Sequence, residues 1–218
     1  MVAVNPSTFR SMTHIQNTQT VMKPCWSCKG PVKISALFCS TCGAVQGPAA
    51  VSHFQRLGLE LNFDVDIERL DQMYFDLQRQ LHPDRFAGKS PKEKAFSQQQ
   101  ATALNDAYET LKDPLRRADF MVHFHGVDVL PEGCNLVVDQ SILIEAMDMR
   151  EQLSAVETLA DLNDIAKHSK AEIDKVITDL SAAFGGQDYE AASKLTTRLK
   201  YLQKMMGEVR HVRARLMT

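Results

Sequence analysis

One stretch of sequence decides the fold of this chain: DIERLDQMYFDLQRQLHPDRFAGKSPKEKA, residues 66–95. Asp66 is a favourable N-cap residue, and apolar side chains follow it at spacings of three and four residues, which predicts a helix with one buried face. Those apolar residues are Ile67, Leu70, Tyr74, Leu77 and Leu81. The helix must end near His82, because Pro83 disfavours helical geometry in the residue before it. Ser90-Pro91-Lys92-Glu93 is a capping box with proline at the first helical position, so a second helix begins there.

The segments on either side of this hairpin are also predicted to be helical. A short helix around Phe54 and Leu57 precedes it, and Asp113-Pro114 both ends the second hairpin helix and begins another, which Gly126 closes. The inner face of the second hairpin helix is predicted to carry Phe96, Ala103, Ala107 and Leu111.

Three more helices are predicted after the loop at 126–139. They span about Gln140 to Glu157, Leu159 to Phe184, and Asp188 towards the C-terminus. Short connections between long amphipathic helices imply antiparallel neighbours. The predicted fold is therefore mainly α, a helical hairpin followed by an antiparallel three-helix bundle, with a small cysteine-rich module at the N-terminal side.

That module contains Cys25-Trp26-Ser27-Cys28 and Cys39-Ser40-Thr41-Cys42, two CxxC pairs separated by ten residues. Each pair can form a knuckle whose turn uses the backbone freedom of Gly30 or Gly43. Two knuckles complete a four-thiolate shell for structural zinc, with Cys25, Cys28, Cys39 and Cys42 as ligands. A redox dithiol pair and a rubredoxin-like iron site are the competing interpretations. The fifth cysteine, Cys134, is isolated, and no function is predicted for it.

Composition bounds the function. A formal net charge of −2 disfavours nucleic acid as the main partner, since neutralising phosphates needs a basic surplus. No apolar run approaches the roughly 20 residues that cross a bilayer, which predicts a soluble chain. Residues 1–22 form a polar leader compatible with a transit peptide or a plain polar tail. The predicted domains are the leader, the cysteine module at 23–46, the hairpin domain at 50–125 and the bundle at 140–218.

His82-Pro83-Asp84 at the tip of the hairpin is the triplet that marks a J-domain, and the chain resembles that family here. Leu57-Gly58-Leu59 and the run from Asn105 to Pro114 fit the same pattern. Proline stiffens the loop, and Asp84 can accept a bidentate hydrogen bond from an arginine on a partner. The resemblance implies that the partner is a DnaK-type chaperone whose ATP hydrolysis would rise on docking. The chain itself then needs no catalytic residue and is not an enzyme.

The charges near this loop depart from the family pattern. Many J-domains carry a run of Lys and Arg on the helix before the loop, whereas here Arg69 and Arg79 alternate with acidic residues. Positive charge gathers after the loop instead, at Arg85, Lys89, Lys92 and Lys94. Steering towards an acidic chaperone surface is therefore expected to be weaker, or selective for a specialised partner.

The first bundle helix has more apolar residues than one core needs. A stripe of Ile142, Ala146, Met149, Leu153 and Val156 suffices for burial. Leu143, Ile144 and Met147 lie beside it and are bordered by Asp148 and Glu151, while Tyr201 and Met205 lie off the stripe of the last helix. That last stripe is predicted to be Ala192, Leu195, Leu199, Leu202, Met206 and Val209. The surplus is either a partner-binding patch or a wider buried face.

The segments Pro114 to Ala118, His125 to Val129 and Leu143 to Leu153 resemble the HscB subgroup of J-proteins, and the tetracysteine module resembles its eukaryotic, mitochondrial members. This resemblance implies a co-chaperone that delivers the iron–sulfur cluster scaffold protein to the chaperone for cluster transfer, in the mitochondrial matrix with a cytoplasmic pool left open. The scaffold-binding residues it implies are Leu143, Ile144, Met147, Asp148, Glu151 and Tyr201. Self-association is also left open.

Two alternatives remain. A general J-domain co-chaperone would share the His82–Asp84 mechanism but deliver unfolded clients through its bundle. A zinc-ribbon nucleic-acid regulator with a helical dimerisation domain is disfavoured by the net charge.

Overall fold

A computed structural model describes residues 21–127 and 140–217 of the chain. It divides into two compact units, one ending at Arg116 and the other beginning at Arg117. Most of the leader, and Cys134, lie outside the described residues. Within the described ranges, none of the helices combines the length and the apolar character needed to span a membrane.

The described residues form two short strands and seven α-helices, which confirms the predicted mainly α fold. The elements are β1 Met22–Pro24, β2 Pro31–Lys33, α1 His53–Arg56, α2 Ile67–Leu81, α3 Pro91–Lys112, α4 Pro114–Phe124, α5 Gln140–Ser154, α6 Leu159–Gly185 and α7 Tyr189–Leu216. A 3₁₀ turn, Pro83–Phe86, joins α2 to α3. The strands pair antiparallel, with Lys23 opposite Val32.

The caps that the sequence predicts for the hairpin are confirmed. The side chain of Asp66 accepts a hydrogen bond from the Arg69 N–H at the start of α2. Ser90 and Glu93 form the reciprocal capping box at the start of α3. These side chains satisfy backbone donors that the first helical turn leaves without partners.

The buried face of α3 differs from the prediction. Leu104, Ala107 and Leu111 are buried, but Phe96 and Ala103 are only half-buried, and the polar side chains of Ser97 and Gln100 are buried instead. Each of these polar groups has a partner, since Ser97 Oγ donates to the Leu81 carbonyl at 2.7 Å and Gln100 binds the segment before α1. Apolar periodicity could not predict the burial of Ser97 and Gln100, because both side chains are polar.

A polar and aromatic contact joins the two hairpin helices. The ring of Tyr74 on α2 stacks on Tyr108 of α3 with centroids 3.9 Å apart. Tyr74 Oη donates to Asn105 Oδ1 at 3.0 Å, and Tyr108 Oη donates to Asp71 Oδ1 at 2.8 Å. Lys112 Nζ lies 3.0 Å from the same Asp71 oxygen. These contacts hold α2 and α3 together towards the open end of the hairpin, and the Ser97 bond to the Leu81 carbonyl holds them together beside the loop.

The second unit is built on α6 and α7, which run antiparallel because only three residues connect them. Thr158 and Asp188 cap the two helices as N-cap residues. Helix α5 ends at Ser154 rather than near Glu157, and Val156 reaches the core from beyond the helix. On α7 the buried methionine is Met205 rather than Met206, because Thr196 replaces Leu195 on the inner face and shifts its register.

Candidate metal centre and partner-binding surfaces

The four clustered cysteines bring their sulfur atoms together. All four Sγ atoms lie within 4.8 Å of one another. The Sγ atoms of Cys25 and Cys42 are 3.8 Å apart, and those of Cys28 and Cys39 are 3.7 Å apart. A tetrahedral site with Zn–S bonds of about 2.3 Å has sulfur–sulfur edges of about 3.8 Å. The donor set and its spacing therefore fit a closed four-thiolate metal site.

The two knuckles have the same backbone pattern. In each, the N–H of the first cysteine donates to the carbonyl five residues later, and the N–H four residues later donates back to that cysteine. The residue at this fourth position has positive φ, +65° at Lys29 and +73° at Gly43. The prediction that Gly30 supplies the turn's freedom is wrong. The space around Gly30 is tight, since a Cβ there would lie 3.3 Å from Thr41 Oγ1.

The backbone around the sulfurs favours thiolate at one cysteine and not at another. Burial opposes ionisation of Cys25, but the N–H groups of Cys28 and Ser27 lower the pKa of its thiol to about 6. The N–H of Gly30 favours the Cys28 thiolate, yet the sulfur of Cys42, together with burial and the other sulfurs, raises the pKa of Cys28 to about 11. Four thiolates this close need a cation between them.

Gln46 connects the metal site to the hairpin. Its side chain is buried, and Nε2 donates to Cys25 Sγ at 3.4 Å and to the Ala44 carbonyl at 2.9 Å. Its own carbonyl accepts a hydrogen bond from Gln100 Nε2 of α3 at 3.0 Å. The Arg56 guanidinium then donates to Gln100 Oε1 at 3.3 Å. Sequence analysis did not identify Gln46 or Gln100.

The segment that connects the cysteine module to α1 is held against α3. Gly47 lies so close to Phe96 that an added Cβ would be 3.0 Å from its ring, and Arg56 Nη2 donates to the Ala49 carbonyl at 2.8 Å. Trp26 packs edge-on against Phe96 with centroids 5.9 Å apart, and Lys92 Nζ lies 4.8 Å from the Trp26 ring centroid. The cysteine module is therefore packed on the hairpin within the first unit.

The His82–Asp84 loop presents two polar side chains together. His82 Nδ1 and Asp84 Oδ2 are 3.6 Å apart, and these side chains are 52% and 91% exposed. The Asp84 N–H donates to His82 Nδ1 at 3.3 Å, so the ring is oriented by the loop itself. His82 caps a 3₁₀ turn that Pro83 opens and that contains Asp84.

The loop is anchored from below. Phe86 closes the 3₁₀ turn with its side chain buried, and the Arg85 N–H donates to the His82 carbonyl. The Ser97 bond to the Leu81 carbonyl fixes the residue just before the loop. A partner therefore meets side chains whose backbone is already ordered, which reduces the entropy lost on binding.

A groove runs beside this loop along α2. It is lined by Phe75, Gln78, Arg79, His82 and Arg85. Phe75 is 52% exposed even though it is a large apolar residue. Sequence analysis did not identify it, although its position outside the i, i+3, i+4 stripe of α2 was the available signal.

Two of the surplus apolar residues of α5, Ile144 and Met147, face solvent. Ile144 is 52% exposed and Met147 is 63% exposed, with Asp148 and Glu151 also exposed. A wider buried face is therefore excluded for these two side chains. Tyr201 on α7 is also exposed and lines a narrow crevice with Glu145 and Ala146 of α5. Leu143 lies in α5, but its side chain is outside the described residues.

Arg198 of α7 ties the three bundle helices together. Its Nε and Nη2 donate to the Glu145 carboxylate of α5 at 2.9 and 2.6 Å, and Nη2 also donates to Glu172 of α6 at 2.8 Å. The fork places α5 by a pair of charge-assisted hydrogen bonds, which carry strong directional constraint. The exposed residues of α5 are thereby held in register with Tyr201.

Comparison with known proteins matches both units. The DnaJ domain model matches residues 52–120, and the HSCB C-terminal oligomerisation domain model matches residues 138–210. The human iron–sulfur cluster co-chaperone protein HscB is 33% identical over 190 residues, which cover 85% of this chain and 80% of the human protein. Co-chaperone protein HscB of Proteus mirabilis (strain HI4320) is 34% identical over 170 residues, 76% of this chain and 98% of its own length.

Solved structures agree with the fold. The crystal structure of human co-chaperone protein HscB superposes with a TM-score of 0.81 at 33% identity and covers 86% of this chain and 96% of its own. Chaperone HscB from Vibrio cholerae gives a TM-score of 0.68 at 30% identity, over 76% of this chain and 99% of its own. The similarity therefore extends over both units.

Proposed function

The chain belongs to the HscB family of iron–sulfur cluster co-chaperones, and from this premise we propose the division of labour between its surfaces. His82, Pro83 and Asp84 bind a DnaK-type chaperone and raise its ATP hydrolysis. The C-terminal bundle binds the iron–sulfur scaffold protein and delivers it to the chaperone for cluster transfer. The ATPase chemistry belongs to the partner, so the chain acts as an adaptor rather than as an enzyme.

One observation carries the chaperone assignment: His82 and Asp84 are exposed side by side on a turn that is ordered without a partner. A carboxylate in this position can accept both N–H groups of an arginine fork, and such bonds are about twice as strong as neutral ones. The imidazole beside it supplies a second polar contact at the same place. The pair can therefore mark the point at which the chaperone is engaged.

The test is single-turnover ATP hydrolysis by a purified DnaK-type chaperone, with and without the full chain. Asp84→Asn should abolish the stimulation, because the amide cannot accept the fork as a carboxylate does. Asp64→Asn, which neutralises another exposed aspartate of the same unit, serves as the matched control and should stimulate normally. Full stimulation by Asp84→Asn would refute this mechanism.

For the scaffold, we propose a patch of Leu143, Ile144, Met147, Asp148, Glu151 and Tyr201. The exposure of Ile144 and Met147 supports this patch. Covering two exposed apolar side chains with a partner removes them from water and so stabilises the complex. The carboxylates of Asp148 and Glu151 beside them favour a scaffold surface that is basic at its rim.

The bundle is tested by replacing Ile144 and Met147 together with serine and measuring scaffold affinity by calorimetry. Affinity should fall at least about tenfold, since truncated interface anchors commonly cost 1–2 kcal/mol or more. Leu159→Ser, at an exposed apolar position of α6, is the matched control. Equal affinity of the double variant and the control would remove the patch from the interface.

We further propose that the four cysteines hold one structural zinc ion, which would close the coordination shell and leave no position for a substrate. The sulfur spacing supports this choice. Elemental analysis of protein purified without added metal should give about one zinc per chain, whereas iron in its place would favour the rubredoxin-like alternative. The mitochondrial matrix is the proposed location.

A further inference from the structure

We propose that the groove lined by Phe75, Gln78, Arg79, His82 and Arg85, called here the Phe75 groove, sets how tightly the chain binds its chaperone. Phe75 is the apolar anchor of the contact, and it inserts into an apolar socket bordered by carboxylates on the ATP-dependent chaperone. This inference rests on the proposed function, because it adds an anchoring residue to the same docking event.

The groove is continuous with the proposed chaperone contact. Residues 75, 78, 79 and 82 lie at helical spacings of three and four, so they share one face of α2 that leads to the loop. His82 lines the groove and also forms part of the His82–Asp84 pair. A partner seated on that pair therefore covers Phe75 as well.

The Phe75 ring packs against a well-anchored neighbour, although the ring is half exposed to water. The Phe75 ring lies 5.2 Å from Tyr74, with the two planes at 60°. Tyr74 in turn is buried, stacked on Tyr108, and hydrogen-bonded by Gln78 Nε2 at 2.8 Å. An aromatic side chain held in place has little rotamer entropy to lose, which is the property of an interface anchor.

The charges around the groove specify the chemistry of the partner. Asp71 is engaged by Tyr108 and Lys112 of α3, and Asp76 pairs with Arg79 at 3.8 Å. The described residues that line the groove include Arg79 and Arg85 but no acid. The surface is thus an aromatic ring flanked by two guanidinium groups, which complements an apolar site with an acidic rim.

The groove also accounts for the charge pattern of α2, which lacks the run of Lys and Arg that many J-domains carry on this helix. A helix that relied on lysine and arginine steering would bind less tightly as salt rises. Burial of the Phe75 ring is a hydrophobic contact that salt does not screen. It can therefore stabilise the complex with a specialised partner even where electrostatic attraction to that partner is weak. The predicted signature is a change in affinity without a change in the maximal rate of the stimulated ATPase.

The experiment titrates full-length protein against a DnaK-type chaperone and fits both the plateau and the half-maximal concentration of ATPase stimulation. Phe75→Ser should raise the half-maximal concentration about tenfold and keep the plateau, as loss of one anchor residue predicts. Phe75→Leu retains most of the apolar area and should stay within about threefold of the parent. Ile67→Ser, at another exposed apolar position of α2, is the matched control and should have no effect.

The outcomes separate this inference from the proposed function. If Asp84→Asn removes the plateau while Phe75→Ser titrates like the parent, the groove is not used and the chaperone assignment stands. If the parent gives no stimulation, both fall. The other candidate occupant of the groove is a second copy of this chain, and sedimentation tests for it. If the parent is a dimer that Phe75→Ser dissociates while ATPase stimulation is unchanged, a second copy covers the groove and the inference is overturned. Circular dichroism of Phe75→Leu and Phe75→Ser confirms that each variant is folded.

Discussion

Gln46 has two roles at once. Its side-chain amide donates to a sulfur of the metal site, and its carbonyl accepts from α3 of the hairpin. Hydrogen bonds to metal-bound thiolates orient the ligand and tune its charge, and loss of such an outer partner typically lowers metal affinity about ten- to a hundredfold. A single buried residue thus links the proposed metal site to the packing of a helix.

Replacing Gln46 with leucine should lower zinc affinity about ten- to a hundredfold, the range found when an outer-shell partner is removed. The substitution keeps the volume and removes the donor to Cys25 Sγ. Competition with a colorimetric chelator measures the change. Gln99→Leu on the exposed face of α3 is the control, and equal affinities for the two variants would mean that the bond to the sulfur does not contribute.

Residue patterns predicted the ligands but not their supports. Cysteines at CxxC spacing are identified by the chemistry they carry, whereas Gln46 is a lone polar residue between Val45 and Gly47 with no motif around it. Lys29 was missed for a related reason, because the left-handed position of a knuckle usually favours glycine and here a lysine adopts it.

Among the helices, the α2–α3 pair gains a pH-dependent contact from Asp71. The hydrogen bond from Tyr108 and the nearby Lys112 hold the pKa of this carboxyl below its ordinary value. A carboxyl with a depressed folded-state pKa stabilises the fold above its unfolded pKa, and that contribution is lost as pH falls through the folded pKa.

Asp71→Asn should therefore lower the melting temperature at pH 7, and the difference from the parent should vanish in acid below the pKa of Asp71. Thermal unfolding followed by circular dichroism across a pH series measures this. Asp76→Asn on the same helix is the control, since its pair with Arg79 is exposed and exposed pairs contribute little. A pH-independent difference for Asp71→Asn would point to packing instead of charge.

Within the bundle, Arg198 should matter more than its exposed counterpart Arg150. Arg198→Met leaves Glu145 and Glu172 without their shared partner and should destabilise the second unit by about 2 kcal/mol, the value of hydrogen bonds to charged groups. Arg150→Met loses only one exposed bond to Glu208 and should cost under about 1 kcal/mol. Urea unfolding compares the two, and faster amide exchange in α5 of Arg198→Met would locate the effect.

Helix boundaries were predictable wherever a cap marked them. N-cap residues mark the start of four helices: Asp66, Ser90, Thr158 and Asp188. No Gly or Pro marks the end of α5, and the predicted end lies three residues beyond the observed one. Faces were less predictable than ends. Buried polar side chains such as Ser97 and Thr196 interrupt the apolar period, which moved the buried positions of α3 and α7.

In the molecule as a whole, removal of metal should be visible through Trp26, the single tryptophan of the chain. Its Nε1 donates to the Val45 carbonyl at 2.8 Å, and its ring packs on Phe96. Stripping the metal with a chelator at pH 7 should release both contacts, because so short a segment has little core without the ion. The fluorescence emission maximum of Trp26 should shift to longer wavelength and return to its original position when zinc is added.

The same treatment should lower the melting temperature of the hairpin, since Phe96 and Gln100 lose the groups that they contact. Helical content from the bundle is the internal control, because the contacts of the cysteine module with Phe96 and Gln100 lie within the first unit. An unchanged emission spectrum in protein shown to be metal-free would mean that the module keeps its fold without zinc.

A mainly α fold and a tetracysteine module were both accessible from the sequence. The attachment of that module was not, because contacts between Trp26 and Phe96 or between Gln46 and Gln100 join residues 54 or more positions apart and have no periodic signature. Sequence periodicity describes one element at a time, and such contacts exist only once elements are packed.

The close packing of Gly47 and Trp26 on Phe96 has a practical consequence for truncation. A fragment starting at α1 would leave the Phe96 ring bare and the Gln100 amide without the carbonyl it now binds. Bare aromatic surface on a small domain promotes aggregation. The shortest well-behaved fragment carrying the His82–Asp84 loop should therefore begin ahead of β1, and insolubility of the shorter fragment would reflect a missing neighbour rather than a defective hairpin.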